Sequence, residues 1–317
     1  MPGILAGSRA VVVTAHALAR DLVTAEAVGA LRDVEVRSIV LKGPSIARWL
    51  YADGFPRPYG DSDLLVTPRR LGPAESALES IGYSLVIDDR LAPAGEAHHL
   101  VFRRDRDGAT LELHWRLPGI RSSADAAWRR LSAQTETALL AGAEVEFLSL
   151  PARALHLALH AMQHAPGRPK PVEDLRRGLR VADRSCWRAA AGLAVALRAE
   201  DAFAVGLRTI PEGAELAAQL GLPPARRATL VEMRAAGASV WSVNLQGLLC
   251  SHRPLGVARA LLRVAVPRVS YMRFRYPEAH RGPASLAAAY ARRWASLVRD
   301  LVPVLRSVAR ANARSRG

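Results

Sequence analysis

The sequence predicts an α+β fold (mixed α/β), with a small mixed sheet and its helices followed by a mainly α-helical half. Three observations carry this. Short β-branched segments alternate with helical ones over residues 1–150. Two later segments flank "DRDG", a hairpin turn signal. After Ser149-Leu150-Pro151 strand signals almost vanish and Ala, Leu and Arg dominate. Alternation ending in a hairpin points to a mixed sheet with helices against it. A chain of 317 residues accommodates two modest domains, expected at 1–150 and 151–317.

Residues 1–34 read as a helix, with Val12, Leu18, Leu22 and Val28 loosely on one face. "VRSIVLKG" is a β-branched strand ending in Lys42-Gly43, and Pro44 suits the first turn of the helix "SIARWLY". "DSDLLVT" is the next strand. "PRRLGPAESALESIG" is a helix closed by Gly82. "YSLVID" is a strand, and "HHLVFRR" and "TLELHWRL" form the hairpin. Beyond Pro151 the segments "ARALHLALHAMQHA", "VEDLRRGLRVAD", "CWRAAAGLAVALRAE", "AELAAQLG" and "PARRATLVEMRAAG" read as helices, as does the long final segment.

Half of the residues are hydrophobic, enough for a core, but only 5% are aromatic, and abundant Ala and Leu favour helix. Cys186 and Cys250 lie far apart without metal-ligand spacing, which points to a reducing cytoplasm rather than a disulfide framework. No transmembrane segment is expected. The uncharged stretch "GASVWSVNLQGLLCSH" falls short of the roughly 20 apolar residues a span needs. "AVVVTAHALAR" reads as part of a core helix rather than a targeting signal. The net charge is +15, and Arg253–Gly317 holds fourteen Arg against Glu278 and Asp300, so this tail supplies +12 of it. Such a tail attracts phosphate, on nucleic acid or on an anionic surface.

The chemistry centres on "RPYGDSDLLV". Alternate side chains of a strand share a face, so Asp61 and Asp63 point together while Ser62, Leu64 and Val66 point the other way. Two such carboxylates repel each other, and a divalent cation relieves the repulsion by bridging them. Alone, Asp-x-Asp is weak evidence, because two solvated acids at a strand start satisfy it equally. In "TLELHWRL", Leu111, Leu113, Trp115 and Leu117 make an apolar face and Glu112, His114 and Arg116 a polar one. A sheet that sets Glu112 beside Asp61 and Asp63 gathers three carboxylates, enough for two metals and an in-line phosphoryl displacement. Upstream, Lys42, Gly43 and Ser45 stand at a strand-to-helix step of the kind that favours phosphate. Arg57 precedes Asp61 by four residues and could neutralise developing charge. Each of these is also ordinary turn or surface chemistry when taken singly.

"LKGPSIARWLYADGFPRPYGDSDLLV" followed by "LELHWRL" resembles the nucleotidyltransferase superfamily of the DNA polymerase β-type fold, and within it the uncharacterised nucleotidyltransferase family. The resemblance is detailed over about residues 36–117. It implies a small mixed sheet, two Mg²⁺ ions (Mn²⁺ being an alternative), and transfer of a nucleoside monophosphate from an NTP such as ATP. In that scheme Asp61, Asp63 and Glu112 are catalytic and bind the metals. Lys42, Gly43, Ser45, Arg57 and His114 serve the nucleotide. One departure is the glycine step: Gly43-Pro44-Ser45 stands farther from Asp61 than the Gly-Ser of the wider superfamily.

His156, His160 and His164 fall at i, i+4 and i+8 on one helix face. Zinc, half-buried structural histidine and the lining of a nucleotide cleft are the three readings; the resemblance favours the cleft for His160 and His164, with Asp174 as a hydrogen-bond partner. His98 and His99 read as strand-edge residues. Near the end, Tyr290, Trp294, Leu297, Leu301, Leu305 and Val308 form an apolar stripe, with Arg292, Arg299 and Arg306 on another face. That segment reads as a docking helix, or as a surface for RNA or an anionic membrane. "YMRFRYP" reads as a packed connection or a base-stacking patch.

The expected function is Mg²⁺-dependent nucleotidyl transfer to an acceptor hydroxyl on a small molecule, peptide, protein or RNA. The alternatives are a non-catalytic regulatory or antitoxin-type module and an RNA-binding protein that uses the basic tail.

Overall fold

The computed structural model describes residues 2–51, 57–91, 98–164, 168–222, 262, 265–267 and 269–314. The uncharged stretch at 237–252, Cys250 and the expected helix at 224–237 lie outside them.

Helix α1 (Pro2–Asp33) leads into β1 (Ser38–Val40), α2 (Pro44–Leu50) and β2 (Asp61–Val66). A 3₁₀ turn and α3 (Leu71–Ser80) follow, then β3 (Tyr83–Asp88), a 3₁₀ turn at Asp89–Leu91, β4 (His99–Arg104) and β5 (Ala109–His114). Next come α4 (Ala124–Leu131), β6 (Thr135–Leu140) and β7 (Ala143–Leu148). Helices follow: α5 (Leu150–His164), α6 (Pro169–Val181), α7 (Arg184–Ala196), α8 (Glu200–Leu207) and α9 (Pro211–Gln219). Two further helices are labelled here α10 (Val269–Arg275) and α11 (Pro283–Arg314). No helix among the described residues is long and apolar enough to cross a membrane.

The seven strands form one mixed sheet in the order β3-β4-β5-β2-β1-β7-β6. The central β2 runs antiparallel to β1 and parallel to β5. Strand alternation divides the core in two. Val40, Leu64, Val66, Leu111 and Leu113 face one way and pack with Val28 and Leu31 of α1 and Ala74 and Leu78 of α3. Ile39, Leu41, Leu65 and Leu148 face the other way, onto Leu155, Leu159 and the helices behind them. The sheet is thus covered on both faces, and α5 lies directly against it.

The hairpin β6–β7 is absent from the sequence reading. Its turn is Ala141-Gly142, both with positive φ (49° and 84°). Asn-Gly or Asp-Gly would have announced such a turn; Ala in that position conceals it. The face read for α1 is corrected as well. Val12, Leu18 and Leu22 are exposed, and the buried stripe is Val23, Ala27, Val28 and Leu31. Ala residues carry part of the packing there, so large apolar side chains mislead. Leu117 lies beyond the end of β5 and joins the α5-side core instead of the opposite face. "CWRAAAGLAVALRAE" is not one helix: the chain breaks after Ala196 at Arg198, whose φ is +56°.

In the last segment Tyr271 and Tyr276 pack around Met272, Ala279 and Ala289, which makes "YMRFRYP" a packed connection at those two tyrosines. Trp294 donates through Nε1 to the Ala265 carbonyl at 2.7 Å, while Leu301 and Leu305 of the stripe are half exposed.

Two tertiary locks set the geometry around β2. Arg57 donates to both oxygens of Asp174 on α6, Nε to Oδ1 at 2.9 Å and Nη2 to Oδ2 at 2.6 Å, and the Tyr51 hydroxyl also donates to Oδ1 at 2.7 Å. Both charged side chains are at most 2% exposed. On the other side of the same loop the Tyr59 hydroxyl donates to Asp21 of α1 at 2.6 Å.

Two stability outcomes follow. Asp174→Ala leaves the Arg57 guanidinium buried without its carboxylate and should cost about 3–5 kcal/mol in urea unfolding. Gly206→Ala should cost about 2–3 kcal/mol or more by thermal unfolding, because a Cβ there would stand 1.9 Å from the Ala158 carbonyl oxygen, where α8 crosses α5.

Candidate active site

The parallel register of β2 and β5 sets Asp63 level with Glu112 and Asp61 level with Thr110. Asp61, Asp63, Glu112 and His114 therefore share the sheet face that looks toward α5. Leu64 and Leu113, on the opposite face, are anchored in the α1–α3 core, so this register cannot slip without exposing them. Asp63 is fully buried, whereas Asp61 and Glu112 are only partly so.

A lysine and a histidine answer these three carboxylates. Lys42 Nζ lies 2.6 Å from Asp63 Oδ1. The backbone puts it there: the Leu41 N–H donates to the Asp63 carbonyl at 2.9 Å, which ties the end of β1 to β2. His114 Nε2 lies 3.2 Å from Asp63 Oδ1 and 3.2 Å from Glu112 Oε2. Burial works against charge on Asp63, yet Lys42 and His114 hold its carboxyl well below the usual carboxylate range. Burial likewise opposes charge on His114, and its bonds to Asp63 and Glu112 overcome that and push it up. Asp61 receives the least compensation. Burial and then repulsion from Asp63 push its carboxyl up, with Lys42 opposing.

Gly43 has φ +62°, and a Cβ on it would come 3.2 Å from the Tyr59 ring. This is a step only glycine takes easily. Ser45 follows with its hydroxyl buried and without a hydrogen-bond partner. Arg57 is locked to Asp174, but its Nη1 is buried and unpartnered.

From α5, His156 and His160 stand over this group. Burial and then Lys42 push His156 down to about 3, and the same two causes hold His160 well below its ordinary value. Both rings are therefore neutral. The His156–His160 and His160–His164 ring centroids lie 6.1 and 4.7 Å apart, which makes one column. Asp174 does not join that column; its two oxygens are taken by Arg57 and Tyr51. His99 is the first residue of β4 and His98 precedes it; β4 lies between β3 and β5, so His99 is internal to the sheet and pairs directly with His114.

Lys170 is the residue the sequence reading missed. It stands in the first turn of α6, within electrostatic reach of Asp61, Asp174, Arg57 and Lys42. Burial and then Arg57 push its ammonium down. It borders a cavity of about 590 Å³ together with His16, Arg20, Tyr59 and Gly60, the residue before Asp61. A signal was present: a lysine in the first helical turn opposes the helix dipole, so its place asks for another reason.

A search of curated proteins found no match. Among solved structures, ANT(2")-Ia in complex with adenylyl-2"-tobramycin is 14% identical with a TM-score of 0.39, over 56% of this chain and 98% of that one. An antigenic nucleotidyltransferase-like protein from Paracoccidioides brasiliensis is 16% identical with a TM-score of 0.35, over 56% and 92%. The family profile described as uncharacterised nucleotidyltransferase matches residues 6–212, well over half of the chain and all of the sheet. A match of that extent decides membership: the chain belongs to the uncharacterised nucleotidyltransferase family, and it is a transferase of nucleotidyl groups.

Proposed function

We propose that this enzyme transfers a nucleoside monophosphate from an NTP, with ATP the first donor to test, to an acceptor hydroxyl, using Mg²⁺ held by Asp61, Asp63 and Glu112. The observation that carries this reading is the register of Asp63 with Glu112, with Asp61 on the same face. The donor set fits the ion: three carboxylates offer hard oxygen ligands, and Mg²⁺ is commonly held by carboxylates together with substrate phosphates. The Lys42 ammonium on Asp63 Oδ1 also marks this oxygen as a cation position. When bound there, two such ions neutralise triphosphate charge and favour the ionised acceptor oxygen.

The residues of the chain do the rest. The acceptor oxygen forms a bond to the α-phosphorus, the bond to the pyrophosphate oxygen breaks, and Glu112 takes the hydroxyl proton. His114 orients Asp63 and Glu112 through its Nε2. Lys42 exchanges its carboxylate for a phosphate oxygen, and Arg57 offers the Nη1 that Asp174 leaves free. Gly43 and Ser45 shape the step beside them, and neutral His160, with His164 next to it, lines the cleft from α5. Lys170 and Arg20 give the adjoining cavity its affinity for an anion, the triphosphate of the donor. In this reading residues 1–150 form the catalytic domain and 151–317 the helical domain, whose α5 and α6 border the site.

Asp61→Asn and Asp63→Asn should each lower transfer from α-labelled ATP by at least on the order of 10²–10³-fold, with unchanged circular dichroism. Full activity in the double variant would falsify the assignment. Metal-free Asp61→Asn should melt above the metal-free wild type near neutral pH. The sign follows from the raised carboxyl: folding disfavours its charged form, and the amide removes that charge. Mg²⁺ should raise the wild-type melting temperature and leave that of the variant unmoved.

Lys170→Met should raise KM for the nucleotide by about tenfold with a smaller change in kcat; an unchanged KM would take Lys170 out of the donor site. Mass spectrometry of metabolites, proteins and RNA ends from cells expressing wild type or Asp61→Asn would identify the acceptor by its added nucleoside monophosphate.

A further inference from the structure

Among the described residues, a second group of metal-ligating side chains converges away from Asp63, Glu112 and His114. Asp89 stands in the turn after β3, and His98 and His99 stand at the start of β4. His98 Nδ1 is 3.2 Å and His99 Nδ1 2.7 Å from the same oxygen, Asp89 Oδ2. One ligand atom from each of the three residues lies within 4.8 Å of the others. The two imidazoles are 4.1 Å apart between centroids.

Both imidazoles thus face one carboxylate oxygen. His99 Nδ1 is buried and has no aligned hydrogen-bond partner, although Asp89 Oδ2 is so near. Three ligand atoms gathered this closely, one of them a buried nitrogen without an aligned partner, stand as the ligands of one ion do. In a tetrahedral zinc site with bonds of about 2.0–2.1 Å, neighbouring ligand atoms lie about 3.3 Å apart. Small side-chain adjustments bring 2.7 and 3.2 Å to that value.

We propose that Asp89, His98 and His99 form a second cation site, for a borderline transition metal of the Zn²⁺ type, separate from the carboxylate trio. The donor set decides the class. Two imidazole nitrogens and one carboxylate oxygen suit Zn²⁺ or Co²⁺, whereas Mg²⁺ takes oxygen. Three protein ligands leave a fourth position for water or another donor. Strand pairing fixes the frame next to the site: His99 pairs with His114, and Asp88, the residue before Asp89, pairs with Leu100. It also stands close to the transfer chemistry. His99 pairs with His114 and stacks on it with centroids 5.3 Å apart, and His114 contacts Asp63 and Glu112. An ion held there would add positive potential one strand away from the carboxylates. The binding claim does not depend on the proposed reaction.

The test uses the full-length protein, stripped of metal by a chelator and held in excess Mg²⁺ so that the carboxylate trio is occupied. Zn²⁺ is titrated by equilibrium dialysis, and Co²⁺ by its visible absorption, which is intense for four-coordinate geometry. Wild type should take up one equivalent of Zn²⁺ and develop the Co²⁺ band. His98→Ala and Asp89→Asn should each weaken uptake by at least about 100-fold, beyond the 10–100-fold typical of outer-shell changes. Asp63→Asn and His160→Ala should leave it intact. Absence of Zn²⁺ uptake by the wild type overturns the proposal without reference to any variant. So does uptake that survives His98→Ala, or that disappears in Asp63→Asn or His160→Ala. If His98→Ala fails to fold, His98→Asn replaces it under the same criteria.

Discussion

Asp63 is a carboxylate with almost no access to water, placed between two other acids, and everything around it is arranged to make that tolerable. Lys42 and His114 both reach its Oδ1. Removing either partner would leave the buried Asp63 carboxylate short of compensation, which is among the most destabilising changes a core can suffer. The requirement extends outward. Lys42 is in reach because Leu41 bonds to the Asp63 backbone. His114 is in reach because the register of β2 and β5 puts it on the same face. The central part of the sheet is thus organised around one ionised oxygen.

The same economy explains why the site has two halves. On the sheet side the charges are satisfied internally and densely. On the helical side Arg57, Asp174 and Tyr51 form a second closed group that ties α6 to the approach to β2. Between them remain groups with unused capacity: Arg57 Nη1, the Ser45 hydroxyl and Asp61, the acid with least compensation. Lys170, a cation in a helical turn that disfavours it, sits on the same border. In the proposed reading, a charged substrate with its cations would supply the missing partners. The histidine column from α5 fits this view, since neutral imidazoles can donate and accept without adding to the positive charge of Lys42.

Glycine and alanine matter here for what they leave out. Gly43 turns the chain at positive φ under the Tyr59 ring, and Tyr59 is in turn bonded to α1. Gly206 lets α8 cross the backbone of α5 at Ala158. Alanines do the same on α1, where Ala27 is fully buried while Leu18 and Leu22 are not. Small residues let helices approach the sheet and one another, and position the histidine column over the carboxylates.

By itself the sequence determined what local rules control. Strand alternation put Asp61 and Asp63 on one face, the "DRDG" turn set the β4–β5 hairpin, and Pro151 opened the helical half. Those features depend on backbone period and turn chemistry, which residues within a few positions decide. The sequence did not reveal the β6–β7 hairpin, because Ala-Gly does the work of a stronger turn signal, nor the buried face of α1, because alanines share its contacts while the conspicuous Val12, Leu18 and Leu22 are exposed. Only the tertiary structure decided which strand lies beside β2 and in which register, that Lys42 reaches Asp63, that Asp174 holds Arg57 rather than a histidine, and that Lys170 comes near Asp61. Each joins residues far apart along the chain, and such pairings are set by how two sheet faces and the helices over them share one volume. No local period carries that information.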